Sequence, residues 1–327
     1  MAKVELLENT VVTAFDDNYV FPFLVMAHTA KKNSTFSFRF KIAFGKTQLS
    51  EKNLSLISRV LSIFEIPFDL IPIELSNDLK PQDHISITAF ARLYLADILS
   101  KEFLWLDCDL LCRIGWDSIF FEYESALKEN TVCAAVDGIP LQNLLGSYDN
   151  VRNAAMIRMG ENYFNSGVLL VNTEKWKDLN SAENWKEIHS QYQQLGFRYA
   201  DQCLLNFMCH ETFHHLDAKY NVFANVRRNY VRTSKIKILH FPGRDKPWTF
   251  QRYSLAILFS SVKARFFLEY FKDQKEMIDS VRIKDPILAD NLEQLQTSLI
   301  QKRSIGYQLG RILKKIARLR INIPSLL

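Results

Sequence analysis

The sequence predicts an α/β protein with a mostly parallel sheet and helices on both of its faces. Strand-like and helix-like segments alternate through the first half of the chain, as expected when helices connect parallel strands. Hydrophobic residues make up 48% and charged residues 24% of the 327 residues, a composition typical of a globular protein with a buried core. No apolar run approaches the ~18 residues that a membrane-spanning helix requires. We therefore expect a globular α/β chain that does not cross a bilayer.

The first elements follow from short local patterns. The β-branched run 10–15 predicts a strand, and the apolar stretch that continues to Ala30 predicts a helix. Apolar residues from Phe38 to Phe44 alternate with less apolar ones, the period of a strand with one buried face. Ser50 is a candidate N-cap for a helix whose apolar residues recur at helical spacing. These are Leu54, Ile57, Leu61 and Phe64.

Later elements are predicted with less regular patterns. We expect strands over 68–74, 103–106, 132–136, 167–172 and 236–241, and a strand-like segment over 215–223. We expect helices from Ser86 or Thr88 to Leu99, and over 182–194 and 201–209. After Trp248 the sequence is helical to its end, without a flexible linker before it.

Charge and cysteine content exclude several classes of protein. The net charge is +5, but the segment 294–327 holds seven basic residues and no acidic one, so the rest of the chain is close to neutral and predicts no nucleic-acid groove. Five cysteines are too few, and an odd number, for the disulfide framework of a secreted domain. The N-terminus lacks the basic start and apolar run of a signal peptide. We expect free thiols and a cytoplasmic protein.

The sharpest local motif is an Asp-x-Asp at the end of an apolar strand. Asp107 and Asp109 follow Phe103–Leu106, and side chains two positions apart on a strand share a face. Two carboxylates at the mouth of a sheet suit Mn²⁺ or Mg²⁺, which can bridge the phosphates of a nucleotide diphosphate. Alone, the motif also fits two solvated turn carboxylates.

A second motif follows the strand that ends at His240. The imidazole is a candidate third metal ligand. Gly243 permits close approach of the backbone, and Lys246 is a cation able to neutralise phosphate oxygens. The combination of the two motifs is much less common than either one.

With these residues in place, the chain resembles glycosyltransferase family 8, retaining transferases with a GT-A fold that include bacterial lipopolysaccharide galactosyl- and glucosyltransferases. The resemblance covers about Val11 to Trp248 and rests on seven motifs in family order. They are Phe15-Asp-Asp-Asn-Tyr19, Ser86-Ile-Thr-Ala-Phe-Ala-Arg92-Leu, Leu106-Asp-Cys-Asp109, Ala135-Val-Asp137, Tyr163-Phe-Asn-Ser-Gly167-Val-Leu-Leu, Asp201-Gln202 and His240-x-x-Gly243-x-x-Lys246-Pro-Trp. It implies a GT-A catalytic domain over 1–250 and a helical C-terminal region over 251–327.

The resemblance also implies roles for single residues. Uridine would be held by Asp16, Asn18 and Tyr19, with Tyr19 stacked on the base. Mn²⁺ (or Mg²⁺) would be coordinated by Asp107, Asp109 and His240, and the diphosphate would be bound by Gly243 and Lys246. The donor sugar would be contacted by Arg92, Asp137, Asn165 and Asp201, with Gln202 nearest the reactive face of its anomeric carbon.

The mechanism stays open between two alternatives. A double displacement needs a carboxylate nucleophile close to the anomeric carbon. The family match places an amide, Gln202, at that position, and an amide is a poor nucleophile. We therefore favour front-face displacement through a short-lived oxocarbenium ion pair, with Asp201 as a transient nucleophile in the rival mechanism.

One motif points to a different chemistry. His210-Glu211-Thr-Phe-His214 satisfies the H-E-x-x-H signature of zinc hydrolases, which requires both histidines on one helix and a third ligand. No glutamate occurs between Glu211 and Glu269, and the segment falls between a helix and a strand-like region. A zinc hydrolase is thus a remote alternative.

The C-terminal tail predicts a basic amphipathic helix. Apolar residues recur at spacings of four and three, with basic residues largely opposite. They are Ile305, Leu309, Ile312, Ile316 and Leu319, against Arg311, Lys314, Lys315 and Arg318. Such a helix can lie on an anionic membrane surface or pack on the protein body. The resemblance favours attachment to the inner face of the cell membrane.

The sequence therefore predicts a metal-dependent retaining hexosyltransferase. It would move galactose or glucose from UDP-galactose or UDP-glucose to a lipopolysaccharide or lipooligosaccharide core, a glycolipid or oligosaccharide acceptor. A transferase acting on protein-linked or cell-wall glycans is the alternative within the family. Both epimeric donors would meet the same polar residues, so the sequence leaves the choice between them open.

Overall fold

The structure, a computed structural model, describes residues 9–74, 87–95, 98–99, 101–137, 162–179, 200–224, 232–243, 245–250 and 261–302. The predicted helix over 182–194 and the tail from Ile305 lie outside these residues. The chain divides into two compact units, Met1–Arg244 and Asp245–Leu327.

The first unit contains ten strands and six α-helices in its described part. The strands are β1 (Asn9–Ala14), β2 (Phe38–Gly45), β3 (Phe68–Ile73), β4 (Phe103–Leu106), β5 (Leu110–Cys112), β6 (Val132–Val136), β7 (Phe164–Val171), β8 (Phe213–His215), β9 (Val222–Phe223) and β10 (Ile238–His240). The α-helices are α1 (Val20–Asn33), α2 (Glu51–Ile63), α3 (Ile119–Glu122), α4 (Glu124–Glu129), α5 (Thr173–Leu179) and α6 (Ala200–Cys209). Short 3₁₀ helices connect several of them.

Seven strands form the central sheet, in the order β3-β2-β1-β4-β7-β6-β8. Strands β3, β2, β1 and β4 are parallel, β7 runs antiparallel to both β4 and β6, and β8 is parallel to β6. The predicted mostly parallel sheet is confirmed, with β7 as the reversed strand. A second sheet, in the order β5-β10-β9, joins segments far apart in the sequence.

Local sequence explains the first strands and helices. In β2, Phe38, Phe40 and Ile42 are buried while the residues between them are partly exposed, as their alternation predicts. Helix α2 begins after Ser50, whose hydroxyl accepts a hydrogen bond from the Asn53 amide at 3.4 Å. Every residue of β7 is buried, which is expected of a strand covered on both faces.

Two elements differ from the prediction. The third predicted helix is instead a 3₁₀ helix over Ile87–Tyr94, where the guanidinium of Arg92 turns inward to buried partners, so tertiary contacts override the helical period. The strand-like segment 215–223 is interrupted by a 3₁₀ helix over Ala218–Tyr220. The Asp217 carboxylate caps it by accepting from the Lys219 amide at 2.9 Å, a local bond that competes with strand pairing.

All five cysteines are buried free thiols, as predicted. Cys108, between the two aspartates of the Asp-x-Asp motif, points away from them to the Thr13 hydroxyl at 3.3 Å. Burial raises the pKa of this thiol. Cys108 is therefore a core residue.

The second unit is helical in its described part. Helix α7 spans Ser261–Lys284, and residues 286–302 form a further helix, α8. The break falls at Asp285, before Pro286, and the Asp285 carboxylate accepts from the Leu288 amide at 2.9 Å. No helix in the described ranges combines the length and apolarity needed to span a bilayer.

Candidate active site

The site residues gather at one edge of the central sheet. Strands β1 and β4 are parallel neighbours, so the loops that follow Ala14 and Leu106 leave the sheet side by side. The carboxyl ends of parallel strands are where α/β proteins bind ligands. The loop after β1 carries Asp16 and Tyr19, and the loop after β4 carries the Asp-x-Asp motif.

Asp107, Asp109 and His240 converge on one point, as the ligand assignment requires. One ligand atom from each lies within 4.8 Å of the others. His240 Nε2 is 3.2 Å from Asp109 Oδ1. The pairing of β10 with β5 sets His240 opposite Leu110, and the Phe241 amide donates to the Asp109 carbonyl at 2.9 Å, which holds the distant histidine beside the motif.

The donor set fits a divalent cation. Two carboxylates and an imidazole are ligands that Mn²⁺ accepts, and Asp109 and His240 are 7% and 2% exposed. The backbone of Gly167 forms one wall of the cluster. A Cβ there would lie 2.4 Å from His240 Cε1 and 3.1 Å from Asp107 Oδ2, so only glycine leaves the imidazole and the carboxylate in place.

Asp107 is held by two donors. Its Oδ1 atom accepts from Trp105 Nε1 at 2.8 Å and from an Arg92 guanidinium nitrogen at 3.2 Å. The guanidinium also lies 4.3 Å from the centre of the Trp105 ring. These contacts fix the carboxylate before any cation is bound.

Asp107, Asp109 and His240 are called the metal-ligand cluster below. Arg92 joins this cluster to Asp201. It is 3% exposed, donates to the Ser166 carbonyl at 2.6 Å and lies 3.2 Å from Asp201 Oδ2. Burial raises the pKa of Asp201 to about 6, against the opposing attraction of Arg92. The arginine thus ties Asp107 to Asp201.

Asp137, Asn165 and Gln202 form a connected group that we call the amide cluster. Asn165 Nδ2 donates to Asp137 Oδ2 at 3.1 Å and to Gln202 Oε1 at 2.8 Å. Gln202 Nε2 donates to the same Asp137 oxygen at 2.9 Å. Burial raises the pKa of Asp137. Residues from β7, α6 and the end of β6 are thus locked together.

The two aspartates in the loop after β1 have different structural roles. Asp17 binds the start of α2, because its carboxylate accepts from the Ser50 amide at 2.9 Å and from Asn53 Nδ2 at 2.8 Å. Asp16 accepts from the Asn18 amide at 3.0 Å and caps the short helix that presents Tyr19. Burial raises the pKa of Tyr19, and the nearby carboxylates of Asp109 and Asp16 raise it further.

The second motif is divided between the two units. Gly243 follows β10 in the first unit and has a φ of 82°, in the left-handed region that favours glycine. Lys246 belongs to the second unit, where its ammonium lies 5.7 Å from the centre of the Trp248 ring. The predicted diphosphate role of both residues stays a prediction.

Sequence reasoning missed the residues that support the ligands. Trp105 could have been found, because it lies two residues before Asp107 on the same face of the strand. Asn221 gave no local signal. It is buried, its side-chain oxygen lies 2.9 Å from His240 Nδ1, and its NH₂ group donates to Asn165 Oδ1 at 2.8 Å.

The H-E-x-x-H motif does not form a zinc site. Helix α6 ends at Cys209, and the motif passes through a turn into β8, which carries His214. His210 Nδ1 contacts the Phe207 carbonyl at 2.9 Å. Within the described ranges, the only group of three metal-ligating side chains is Asp107, Asp109 and His240.

Comparison with known proteins agrees with this architecture. Among solved structures, the galactosyltransferase LgtC in complex with donor and acceptor sugar analogues superposes with a TM-score of 0.62 at 21% identity, covering 82% of this chain and 95% of that one. The glycosyltransferase GlyE of Streptococcus pneumoniae superposes with a TM-score of 0.56 at 19% identity, covering 82% of this chain and 63% of that one. The fold is the predicted GT-A fold.

Relatives in sequence lead to the same family. A lipopolysaccharide 1,2-glucosyltransferase of Escherichia coli is 24% identical over 254 residues, which cover 71% of each chain. General stress protein A of Bacillus subtilis is 21% identical over 268 residues, or 76% of this chain and 89% of that protein. The sequence profile of glycosyl transferase family 8 matches residues 10–252. The chain therefore belongs to glycosyl transferase family 8.

Proposed function

We propose that this glycosyltransferase moves galactose or glucose from a UDP-sugar to a lipopolysaccharide or lipooligosaccharide core, with metal dependence and retention of configuration. The proposal rests on one observation: the three candidate metal ligands are linked through Arg92 to the residues proposed to bind the donor sugar. The cluster of Asp107, Asp109 and His240 is tied through Arg92 to Asp201, which precedes Gln202 of the amide cluster. One set suits a cation with a diphosphate and the other suits sugar hydroxyls.

The cation would be held by Asp107, Asp109 and His240, as their convergence supports. When bound, it supplies positive charge that neutralises the diphosphate leaving group. Lys246 and the backbone at Gly243 would bind the same diphosphate. Tyr19, with Asp16 and Asn18, would hold the uridine. All three follow β1, which lies beside the strand that leads to Asp107 and Asp109, and this supports a nucleotide bound next to the cation.

Polar groups of the amide cluster suit the donor sugar. Gln202 Oε1 already accepts from Asn165 Nδ2 at 2.8 Å and from the Ser166 amide at 3.2 Å. An amide oxygen with both acceptor positions engaged is a weak nucleophile, which supports front-face displacement over attack by Gln202. In that mechanism the bond from the anomeric carbon to the diphosphate breaks first, and the departing phosphate oxygen accepts the proton of the attacking acceptor hydroxyl.

Asp201 remains the nucleophile of the rival mechanism. Its Oδ2 atom is held by Arg92 at 3.2 Å and by the Ser166 hydroxyl at 3.3 Å. A carboxylate that is paired with a guanidinium is less nucleophilic than an unpaired one, because the guanidinium stabilises its charge. This pairing favours a binding or orienting role for Asp201.

The lipopolysaccharide acceptor is supported by the Escherichia coli relative, which is named a lipopolysaccharide 1,2-glucosyltransferase. We further propose that the basic segment 305–327 attaches the enzyme to the inner face of the membrane, where a glycolipid acceptor would be located. Deletion of this segment should abolish binding to anionic vesicles and leave slow hydrolysis of the UDP-sugar intact. Loss of folding on deletion would instead mean a packing role.

The most informative experiment is release of UDP from a panel of UDP-sugars with Mn²⁺, with Mg²⁺ and with a chelator. We expect UDP-galactose or UDP-glucose to be hydrolysed only with the metal, and faster once a lipooligosaccharide core is added. The anomeric configuration of the product, read by NMR, tests retention. Equal release with the chelator would overturn the metal dependence, and a different preferred donor would overturn the hexose assignment.

A further inference from the structure

Asn221 bridges two side chains of the site without being a predicted ligand itself. It lies between the 3₁₀ helix Ala218–Tyr220 and β9, which pairs with β10 so that Phe223 is opposite His240. Its side chain is 6% exposed. One end of the amide faces His240 Nδ1 at 2.9 Å, and the other faces Asn165 Oδ1 at 2.8 Å.

The direction of these hydrogen bonds follows from one backbone amide. The Gly167 N–H can only donate, and it donates to Asn165 at 2.9 Å, so the atom it meets is the oxygen Oδ1. Asn221 must then present its NH₂ group to that oxygen. Its carbonyl therefore faces His240, and a carbonyl can only accept.

The consequence for His240 is a defined tautomer. Nδ1 carries the proton that Asn221 Oδ1 accepts, so Nε2 of the neutral ring presents a lone pair. That lone pair faces Asp109 Oδ1 at 3.2 Å. In this tautomer both atoms are acceptors, and a metal ion bound between them would satisfy both.

We propose that Asn221 is a positioning residue that holds His240 in the Nδ1–H tautomer, with Nε2 directed to the metal, and that links this ligand to Asn165 of the amide cluster. The inference rests on the proposed metal site. Asn165 completes the link because its two acceptor positions and two N–H groups all have partners: Gly167, Asn221, Asp137 and Gln202.

The first test measures Mn²⁺ alone, by the loss of the EPR signal of free aqueous Mn²⁺ on binding to the full chain. Asn221→Leu removes both bonds, and we expect Mn²⁺ affinity to fall about 10- to 100-fold, the usual effect of losing the partner of a ligating histidine. Asn221→Asp keeps an acceptor for Nδ1–H, and we expect its affinity to stay within about threefold of the wild type.

Asn206→Leu is the matched control. Asn206 is also a buried asparagine, but it bonds to the backbone of Phe164 and Gln202 and not to His240. We expect it to lower Tm without lowering Mn²⁺ affinity. Equal affinity of the wild type and Asn221→Leu would overturn the proposal, as would an equal loss in Asn221→Leu and Asn221→Asp.

The second test reads the tautomer directly and needs no metal. Long-range ¹H–¹⁵N NMR of metal-free protein labelled at its seven histidines distinguishes Nδ1–H from Nε2–H. Spectra are recorded at several pH values, and the comparison uses those at which the ring ¹⁵N shifts no longer change with pH. The signal absent from His240→Asn belongs to His240.

We expect Nδ1–H in the wild type and in Asn221→Asp, and loss of that preference in Asn221→Leu. An Nε2–H wild type would overturn the proposal. Should the wild type bind no Mn²⁺, the proposed metal site is refuted, and the NMR result still decides whether Asn221 sets the tautomer. If Asn221→Leu fails to fold, the tautomer of the wild type and the affinity of Asn221→Asp remain decisive.

Discussion

The metal-ligand cluster and the amide cluster lie next to each other but satisfy their polar atoms in opposite ways. In the first, the proposed tautomer leaves His240 Nε2 and Asp109 Oδ1 as two acceptors that face each other at 3.2 Å. In the second, donors meet acceptors, and Asn165 uses every hydrogen-bonding position of its side chain. A cation would bridge the acceptors of the first cluster in the proposed function, whereas the side chains of the second already hold one another in place.

Mutations in the two clusters should therefore have different effects. A residue of the metal-ligand cluster would bind the cation, so its substitution should abolish cation binding and leave the fold intact. A residue of the amide cluster also supports its neighbours, so its loss should reduce both orientation of the sugar and stability, because a buried polar group left without a partner costs about 1–3 kcal/mol. The following changes test that division.

The largest effect is expected from Asp109→Asn. The amide is a much weaker ligand for a hard cation than the carboxylate, so transfer and Mn²⁺-dependent UDP binding should fall to background. The Tm without nucleotide should hardly change. Asp69→Asn, on β3 and 44% exposed, is the matched control and should keep full activity. An active Asp109→Asn enzyme would refute the ligand assignment.

Lys246→Ala tests how much of the diphosphate charge is neutralised by a residue outside the metal-ligand cluster. Removing one cation from the diphosphate should cost about 2–3 kcal/mol of transition-state stabilisation, seen mainly in turnover. Lys275→Ala, an exposed lysine of α7, serves as the control. Steady-state kinetics with saturating UDP-sugar provide the measurement. A turnover number equal to that of the wild type would refute the proposed role of Lys246 in diphosphate binding.

Gln202→Ala tests the amide cluster. Its loss deprives Asp137 and Asn165 of partners, and we expect turnover to fall about 10- to 100-fold because the sugar is less well oriented. The Mn²⁺-dependent affinity for UDP, measured by calorimetry, should stay near that of the wild type. A parallel loss of UDP affinity would contradict the division between the two clusters.

Gly167→Ala acts at the boundary between them. The added methyl group would collide with the His240 ring, so we expect a loss of about tenfold in Mn²⁺ affinity through displacement of this ligand. Val168→Ala, a change to a smaller residue on the same strand, is the control for altered packing. Unchanged Mn²⁺ affinity in Gly167→Ala would show that the histidine can move without loss.

The smallest expected effect is an acid limb in the pH profile. Because burial raises the pKa of Asp201 to about 6, its carboxylate becomes protonated as the pH falls through that value. If the carboxylate form supports the reaction, turnover falls in the same range, and this limb disappears from the residual activity of Asp201→Asn. Retention of the limb in the variant would assign it to another group.

The sequence predicted the parts of the fold that local patterns determine. Alternation in β2 and the Ser50 cap of α2 are confirmed, because both depend on neighbours within a few residues. The reversed direction of β7 was not predicted, since pairing with β4 and β6 is decided by distant segments. The segment around Arg92 was predicted as an α-helix, because its burial among carboxylates is invisible to periodicity.

The same limit applies to the site. His240 was a candidate third ligand from its own motif, but 130 residues separate it from the Asp-x-Asp motif, and the family resemblance was needed to assign all three residues to one cluster. Asn221 was missed because it belongs to no motif, whereas the position of Trp105, two residues before Asp107, was a signal that could have been used. The roles of the assigned residues stay predictions until the variants are measured.

The antiparallel pairing of β5 with β10 has a consequence for synthesis and folding. Because this short pair closes a loop from Leu110 to His240, its formation carries a large entropic cost and depends on the chain between. A nascent chain that has emerged only as far as β7 holds both aspartates but lacks the histidine. The three-ligand cluster can therefore form only after nearly the whole of the first unit has been made.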